Sequence, residues 1–439
     1  MTTTLEQTTV GERMATVGQT ITKQTTKTAL YTDAYEYKMY GASFRNNQAN
    51  TKVVFEAFGR KLPEGVNYGI VCGIDTIIED IRNFSIDTDT ESYLRTIFSD
   101  SIVDNLKNYG FQGEVYAMCN GEFYLPNEPI VTVIGTFAEC VVLETIILSA
   151  LNSQSAIATH ASRMRAKAGN RSLIEMGSRR IDKNWAVEAA KASYIGGFDA
   201  TSNLQAGYKY GVPVVGTAAH AWTMLHMENE LEAFLAQIDS DGVGTTLLVD
   251  TYNIENGIRL AVKATQLKGG NGPGAIRIDS GDLAIEAQNA RNLLDSLGAK
   301  NTKIIVSGDI TLETLDHLKD APIDGYGIGT GLVITAPSLG IVYKLVAVQR
   351  NGTYIPVSKN SATEGKSTKG GLKFVYRDLA SHTDTIVNKA NGYADSLQKI
   401  VIAPHCQTNY QTSVNKSREK VRFNLPYFTK EFSKKEIQI

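Results

Sequence analysis

Apolar and polar positions alternate along this chain in two distinct textures. Between residues 28 and 155 strand-like and helix-like stretches are mixed. "TKVVFEAFGR", "NYGIVCGI" and "EPIVTVIGTF" read as strands. "TIIEDIRNF" and "DSIVDNLKNY" space their apolar residues as short helices do, and residues 139–168 carry a long helical pattern. After residue 170, short apolar runs each lead into an amphipathic or turn-like segment. The runs are "SLIEMGSRR", "YIGGFDATSN", "VPVVGTAAH", "TTLLVDTYN", "AIRIDSGDL", "TKIIVSGDI" and "IDGYGIGT". Such strand–helix alternation is the mark of a parallel sheet. Beyond residue 340 the texture changes again, and "IVYKLVAVQRNGTYIPVSKNS" reads as a β-hairpin turning on Asn351-Gly352.

Polar residues fall just past the ends of the parallel strands. His220, Asp250, Asp279 and Asp309 are separated by 30, 29 and 30 residues, the length of one βα unit. In a parallel barrel all strand C-termini lie on one face, and that face carries the chemistry. The pattern therefore predicts an irregular α/β barrel of about seven units over residues 156–340. An α+β domain would be made from residues 28–155 and from 341–439 packing back on them. A doubly wound open sheet also satisfies the alternation, but rim residues spread over so many units favour closure. The Thr-rich first 27 residues read as a polar tail.

Composition narrows the functional classes. The 439 residues carry a formal net charge of −2 and are 42% hydrophobic, which gives no reason to expect a nucleic-acid or membrane surface. No uninterrupted apolar run reaches spanning length. Cys72, Cys119, Cys140 and Cys406 are scattered without a C-x-x-C pair, against a zinc site and in keeping with a reduced, cytoplasmic setting. The tail lacks the apolar core of a signal peptide, and Glu6 and Glu12 speak against a transit peptide.

The candidate chemistry gathers at the strand ends. Gly308 in "IVSGDI", with Gly329 and Thr330 in "GIGTG", lies at consecutive late strands. There, small residues let backbone N–H groups approach a phosphate. Asp279 and Asp282 flank Ser280 and a glycine; they suit a divalent cation, sugar hydroxyls or a developing positive charge, although Asp282 also suits a helix N-cap. His220 suits acid–base work or phosphate capture. Arg179, Arg180 and Arg277 supply guanidinium for carboxylate or phosphate. A ligand that is phosphorylated, hydroxylated and anionic accounts for all these groups together.

In order along the chain stand "YTDAYEYKM", "FGRKLP", "NEPIVTVIG", "EMGSRR", "YIGGFDATSN", "GVPVVGTAAHAW", "LLVDTYN", "IRIDSGDL", "IVSGD", "GIGT", "VYKLV" and "KSTKGG". This series, spanning residues 28–377, resembles the nicotinate phosphoribosyltransferases. The resemblance implies the type II phosphoribosyltransferase fold. The implied reaction joins nicotinate to 5-phosphoribosyl 1-pyrophosphate, giving nicotinate mononucleotide and pyrophosphate as the first step of NAD salvage from nicotinate. It also implies Mg²⁺, ATP as a co-substrate hydrolysed through a phosphorylated His220 (a ligase-type classification), and a cytoplasmic homodimer with shared active sites.

Carried over residue by residue, Asp279 stabilises the charge at the ribose, with Asp282 as a second Mg²⁺ ligand. Asp250, Ser280, Gly308, Asp309, Gly329 and Thr330 hold the sugar and its phosphate. Arg179 and Arg277 meet the nicotinate carboxylate or neighbouring phosphate oxygens. Tyr35 stacks on the pyridine from the partner subunit, and Arg60, Lys359 and Lys366 meet the pyrophosphate. Related nicotinamide enzymes have Asp where this chain has Ser202; a neutral donor there favours a carboxylate over an amide. Two departures stand out: Leu372 replaces a usual Arg, and Met176 replaces a usual Phe. The rival readings are a nicotinamide transferase, a quinolinate transferase, a non-catalytic binding barrel, and a phosphosugar isomerase with Glu175 as its base.

Overall fold

The computed structural model describes residues 27–360, 368–388, 395–403, 413–429 and the backbone of 433–435. The expectations for the tail to residue 26, for Lys366 and for Cys406 lie outside the described residues. In chain order the first strands are β1 (Lys52–Gly59), β2 (Gly69–Ile70), β3 (Glu114–Met118), β4 (Phe123–Tyr124) and β5 (Val131–Thr136). Then come β6 (Ser172–Glu175), β7 (Ala200–Thr201), β8 (Thr246–Leu248), β9 (Ala275–Ile278), β10 (Lys303–Ser307) and β11 (Gly325–Ile328). The last are β12 (Ile341–Arg350), β13 (Thr353–Pro356), β14 (Lys373–Asp378), β15 (Thr383–Asn388), β16 (Gln398–Ile402) and β17 (Ser433–Lys435).

Strands β6 to β11 form one curled parallel sheet in the order β7-β6-β11-β10-β9-β8. Leu173, Ile276, Ile278, Ile304, Val306, Tyr326 and Ile328 in these strands are fully buried, as expected of a parallel sheet covered by helices. The architecture is the irregular α/β barrel arrangement anticipated, with two differences: the sheet is a curled half-barrel whose edge strands β7 and β8 do not pair, and six of the seven units supply a strand. The run "VPVVG" is reduced to a single bridge, Thr201 with Val214. Pro213 has no N–H to give a ladder, and Val214 and Val215 stay exposed. His220 therefore opens a short helix, His220–Leu225, instead of closing a strand. The amphipathic stretch that follows is divided, because Met227 takes a left-handed φ of 56° before a second helix, Glu230–Asp241.

The second large sheet is antiparallel, in the order β13-β12-β1-β5-β3-β16, and so is built from both ends of the chain. Its hairpin from β12 to β13 turns on Asn351 and Gly352, with φ of 50° and 79°. Two consecutive positive φ values mark the type I′ turn that Asn-Gly favours.

The stretch "NYGIVCGI" pairs as a strand only over Gly69–Ile70. Two of its backbone donors go to hydroxyls of the long helix Glu144–Ala168, while Val71 N–H donates to the Glu122 carbonyl at 2.8 Å and Ile74 N–H to Asn120 Oδ1 at 3.0 Å. Thr159 Oγ1 accepts from Ile70 N–H at 2.8 Å, and Ser155 Oγ accepts from Cys72 N–H at 3.0 Å. That helix joins the two halves: Ile146, Ile147 and Leu151 enter the core of the antiparallel sheet, and Ile157, Ala161 and Met164 enter the core of the barrel. The run Phe137–Ala168 is long and apolar enough to cross a membrane, but two-thirds of it is buried inside the protein. The late helix Val414–Phe428 packs on the barrel side, where Val421 and Phe428 are buried and Arg418 pairs with Asp199 at 2.7 Å.

Candidate active site

The C-terminal ends of β6 to β11 bring most of the anticipated residues together. At the end of β9, Arg277 and Asp279 flank the buried Ile278, since alternate residues of a strand share a face. Asp279 is fixed from two sides. Its backbone N–H donates to Asp250 Oδ2 at 2.8 Å, and its Oδ1 accepts from the Ser307 hydroxyl at 2.5 Å. Ser280 also donates to Asp250 Oδ2, at 2.7 Å. Asp250 thus bridges the ends of β8 and β9. Its other oxygen, Oδ1, is buried without a hydrogen bond and lies 4.0 Å from His220 Nε2. His220 Nδ1 pairs with Thr251 Oγ1 at 3.1 Å, so Nε2 is the nitrogen left for chemistry.

Arg277 reaches the loop that replaces the missing strand, donating to Thr217 Oγ1 at 2.7 Å and to the Ala218 carbonyl at 3.3 Å. Burial pulls its pKa down, against the attraction of Asp279 and Asp250. Arg277, Arg179, Ser202, Met176 and Thr217 line a cavity of about 300 Å³. Beside it a cleft of about 730 Å³ is walled by Asp250, Tyr252, Asn253, Ser280, Glu286 and Asn289.

The glycine loops close around the same strand ends. Gly308 has a φ of 97°, and a Cβ there would stand 2.6 Å from the Asp279 carbonyl. Asp309 follows with a left-handed φ of 46°. Gly329 passes close to Met176, where a Cβ would meet its carbonyl at 3.0 Å, and Thr330 opens the turn Thr330–Val333. Both close approaches are to carbonyl oxygens, so the packing of these strand-end loops calls for glycine at each position.

Other anticipated residues lie elsewhere. Asp282 caps the helix Leu283–Ser296, its Oδ1 accepting from Ala284 and Ile285 N–H. Each carboxylate of the pair thus has its Oδ1 engaged, Asp282 by its own helix and Asp279 by Ser307. Among the described residues no three His, Cys, Asp or Glu side chains converge as a metal cage. Tyr35 is exposed on the helix Ala34–Arg45 in the antiparallel half, where burial and Glu144 raise its pKa. Arg60 follows β1, its Nε buried without a partner. Lys359 is exposed, its N–H held by Thr368 Oγ1 at 2.9 Å. Leu372 packs against the small cluster of Val54, Val346 and Ala347, so the departure from Arg serves the core.

Three partners escaped the sequence reading: Ser307, Thr251 and Thr217. Ser307 and Thr251 each directly adjoin a residue that was singled out, which is the only signal they carry.

The strand ends thus gather Asp250, Asp279 and His220 beside a cavity lined by two guanidiniums, a set that suits an enzyme site for an anionic ligand. Residues 30–152 match the N-terminal domain of the nicotinate phosphoribosyltransferases, and residues 171–422 match the family proper. The chain belongs to the nicotinate phosphoribosyltransferase family. It is 44% identical over 385 residues to nicotinate phosphoribosyltransferase pncB1 of Mycobacterium tuberculosis, covering 86% of this chain and 83% of that one. It is 36% identical over 379 residues to the Bacillus subtilis nicotinate phosphoribosyltransferase, covering 84% and 75%. The fold resembles the crystal structure of human nicotinic acid phosphoribosyltransferase, with a TM-score of 0.76 at 24% identity, covering 90% and 93% of the two chains.

Proposed function

We propose that the protein joins nicotinate to 5-phosphoribosyl 1-pyrophosphate, releasing pyrophosphate, and that ATP hydrolysis through His220 assists the step. The cavity shared by Arg179, Arg277 and Ser202 carries this reading. Two guanidiniums and a neutral hydroxyl suit a pyridine carboxylate, whereas a carboxamide would leave both charges unanswered. The pyridine nitrogen is itself the nucleophile. It attacks C1 of the ribose as the C1–O bond to pyrophosphate breaks, and no protein base is required. Glu175, the base an isomerase would need, is 1% exposed and already accepts from the Gly177 N–H and the Thr201 hydroxyl.

Mg²⁺ would enter with the pyrophosphate, since such ions keep several waters and need only one or two protein carboxylates. Asp279 is the carboxylate placed to meet it. For ATP, His220 Nε2 would take the γ-phosphoryl group as the bond to ADP breaks, and water would later release phosphate. Thr251 Oγ1, paired with Nδ1, would hold the ring while Nε2 carries the phosphoryl group. The adjoining cleft offers room for a nucleotide.

The test is product formation with nicotinate or nicotinamide, each with and without Mg-ATP. Mononucleotide is expected from nicotinate alone, enhanced by ATP, and His220→Ala should retain basal synthesis but lose the enhancement. Product from nicotinamide would overturn the cavity assignment. An ATP effect that survives in His220→Ala would overturn the phosphohistidine route. A homodimer is also proposed. Leu30, Tyr31, Tyr35 and Met39 are exposed on the antiparallel half, and Leu204, Tyr208, Met224 and Leu225 are exposed on the barrel half. Exposed apolar side chains on both halves are what a shared interface would cover. Sedimentation equilibrium should return twice the chain mass; a monomer at assay concentration would remove the shared-site role of Tyr35.

A further inference from the structure

Glu175 is buried at the barrel mouth, yet no step above uses it. It ends β6, and what its carboxylate holds is informative. Oε1 accepts from the N–H of Gly177, which opens the turn carrying Arg179. Oε2 accepts from the hydroxyl of Thr201, the last residue of β7 and the neighbour of Ser202. The Glu175 carbonyl in turn accepts from Ser202 N–H at 2.9 Å. Asn203 completes the lacing: its N–H donates to Thr201 Oγ1 at 3.0 Å, and its side-chain amide donates to Ser178 Oγ at 2.9 Å. A Cβ on Gly177 would stand 2.6 Å from Val333 Cγ1 and 2.9 Å from Glu175 Oε1. The carboxylate therefore closes on a backbone amide that only glycine leaves open.

Two loops from neighbouring strands are tied through one side chain, and each delivers a residue to the same cavity: Arg179 from the first and Ser202 from the second. We propose that Glu175 is a positioning residue for base selection, fixing Arg179 relative to Ser202 so that the cavity prefers a pyridine carboxylate to its carboxamide. This rests on the nicotinate reading of the cavity. Both residues that meet the ligand are themselves exposed, and long exposed side chains place their heads no better than their backbones are held. Glu175 is the buried group that holds those backbones, with charge-assisted bonds to the donors of both loops. Burial raises its pKa, against the pull of Thr201 and Gly177. A carboxylate accepts from both donors at once.

The experiment compares Glu175→Ala, Glu175→Gln, Thr201→Val and Arg179→Ala by steady-state kinetics with both bases, beside their melting temperatures. Glu175→Ala removes the bonds to Gly177 and Thr201, and Thr201→Val those to Glu175 and Asn203; each should raise KM for nicotinate about tenfold, since only part of that loss reaches the ligand. The ratio of kcat/KM for nicotinate over nicotinamide should fall in parallel, with KM for 5-phosphoribosyl 1-pyrophosphate little changed. Glu175→Gln can still accept from Gly177 while its amide donates to Thr201 Oγ1, and it should recover most of the loss. Thr201→Val is nearly isosteric and guards against an Ala variant that fails to fold. The positioning role is overturned if folded Glu175 and Thr201 variants keep the wild-type KM for nicotinate. It is also overturned if both substrates weaken together with the melting temperature, which marks a purely structural residue. Arg179→Ala separates the two readings. If it leaves KM for nicotinate unchanged, the cavity assignment falls and takes this inference with it. If it raises KM while the Glu175 and Thr201 variants do not, only the positioning role falls.

Discussion

Asp279→Asn is expected to lower kcat by about two to three orders of magnitude, the usual scale for removing one group aimed at developing charge. As pyrophosphate leaves, C1 of the ribose becomes cationic, and a fixed carboxylate favours that state over the neutral ground state. Asp279 is fixed by its backbone bond to Asp250 and by the Ser307 hydroxyl on Oδ1. Asparagine retains an oxygen for Ser307 and nearly the same shape, so the change removes charge and little else. KM for 5-phosphoribosyl 1-pyrophosphate should move far less than kcat. Initial-rate kinetics at saturating nicotinate test this; a variant in which KM alone rises would make Asp279 a binding group and sink the charge-stabilising role.

A second large effect lies far from the cavity. Lys191 on the helix Lys183–Ile195 is completely buried and meets Asp75 at 2.9 Å and Glu188 at 2.7 Å. Asp75 opens a helix of the antiparallel half and is also held by Asn120 at 2.8 Å. Tyr210 donates to Glu188, and Lys191 lies 4.8 Å from the Tyr210 ring centroid. The cluster thus fastens the two halves at one buried point. Lys191→Met should cost about 3–5 kcal/mol, because removing one partner strands the other charges in the interior.

The pH dependence carries a sign. In the wild type Lys191 lowers the pKa of Asp75 and Glu188, so their contribution is present above the unfolded carboxylate range and fades as pH falls through the folded values. Without Lys191 burial raises both, and the resulting penalty shrinks as pH falls through the raised folded values and is gone below the unfolded ones. The gap in melting temperature between Lys191→Met and wild type should therefore narrow from pH 7 toward pH 4. A gap that is constant or widens would mean the carboxylates do not face one another as charges.

The parts of this molecule written in local pattern were readable in the sequence. Strand–helix alternation gave the parallel sheet, the near-30-residue spacing placed His220, Asp250 and Asp279 on one rim, and Asn351-Gly352 announced its hairpin. What failed depended on distant partners. "NYGIVCGI" has the composition of a strand, but Thr159 and Ser155 take two of its donors and Asn120 a third. "VPVVG" has β-branched residues, but Pro213 and the exposure of its valines reduce it to one bridge. Asp282 suited both a cap and a ligand, and its Oδ1 does cap its own helix. Glu175 suggested a catalytic base by type and place; Thr201, 26 residues away, shows the carboxylate already engaged.

The antiparallel sheet has a consequence for how the chain must come together during synthesis. β1 leaves the ribosome early, yet one of its edges belongs to β12, and Val53 pairs with Val348 nearly three hundred residues later. The six parallel strands need only neighbours between residues 172 and 328, so the barrel can assemble while β1 waits with an open edge. An unpaired apolar edge is an invitation to foreign strands. A chain halted before residue 341 would therefore carry a nearly finished barrel joined to a sticky, half-built sheet. Completion of the last hundred residues seals the oldest part of the protein.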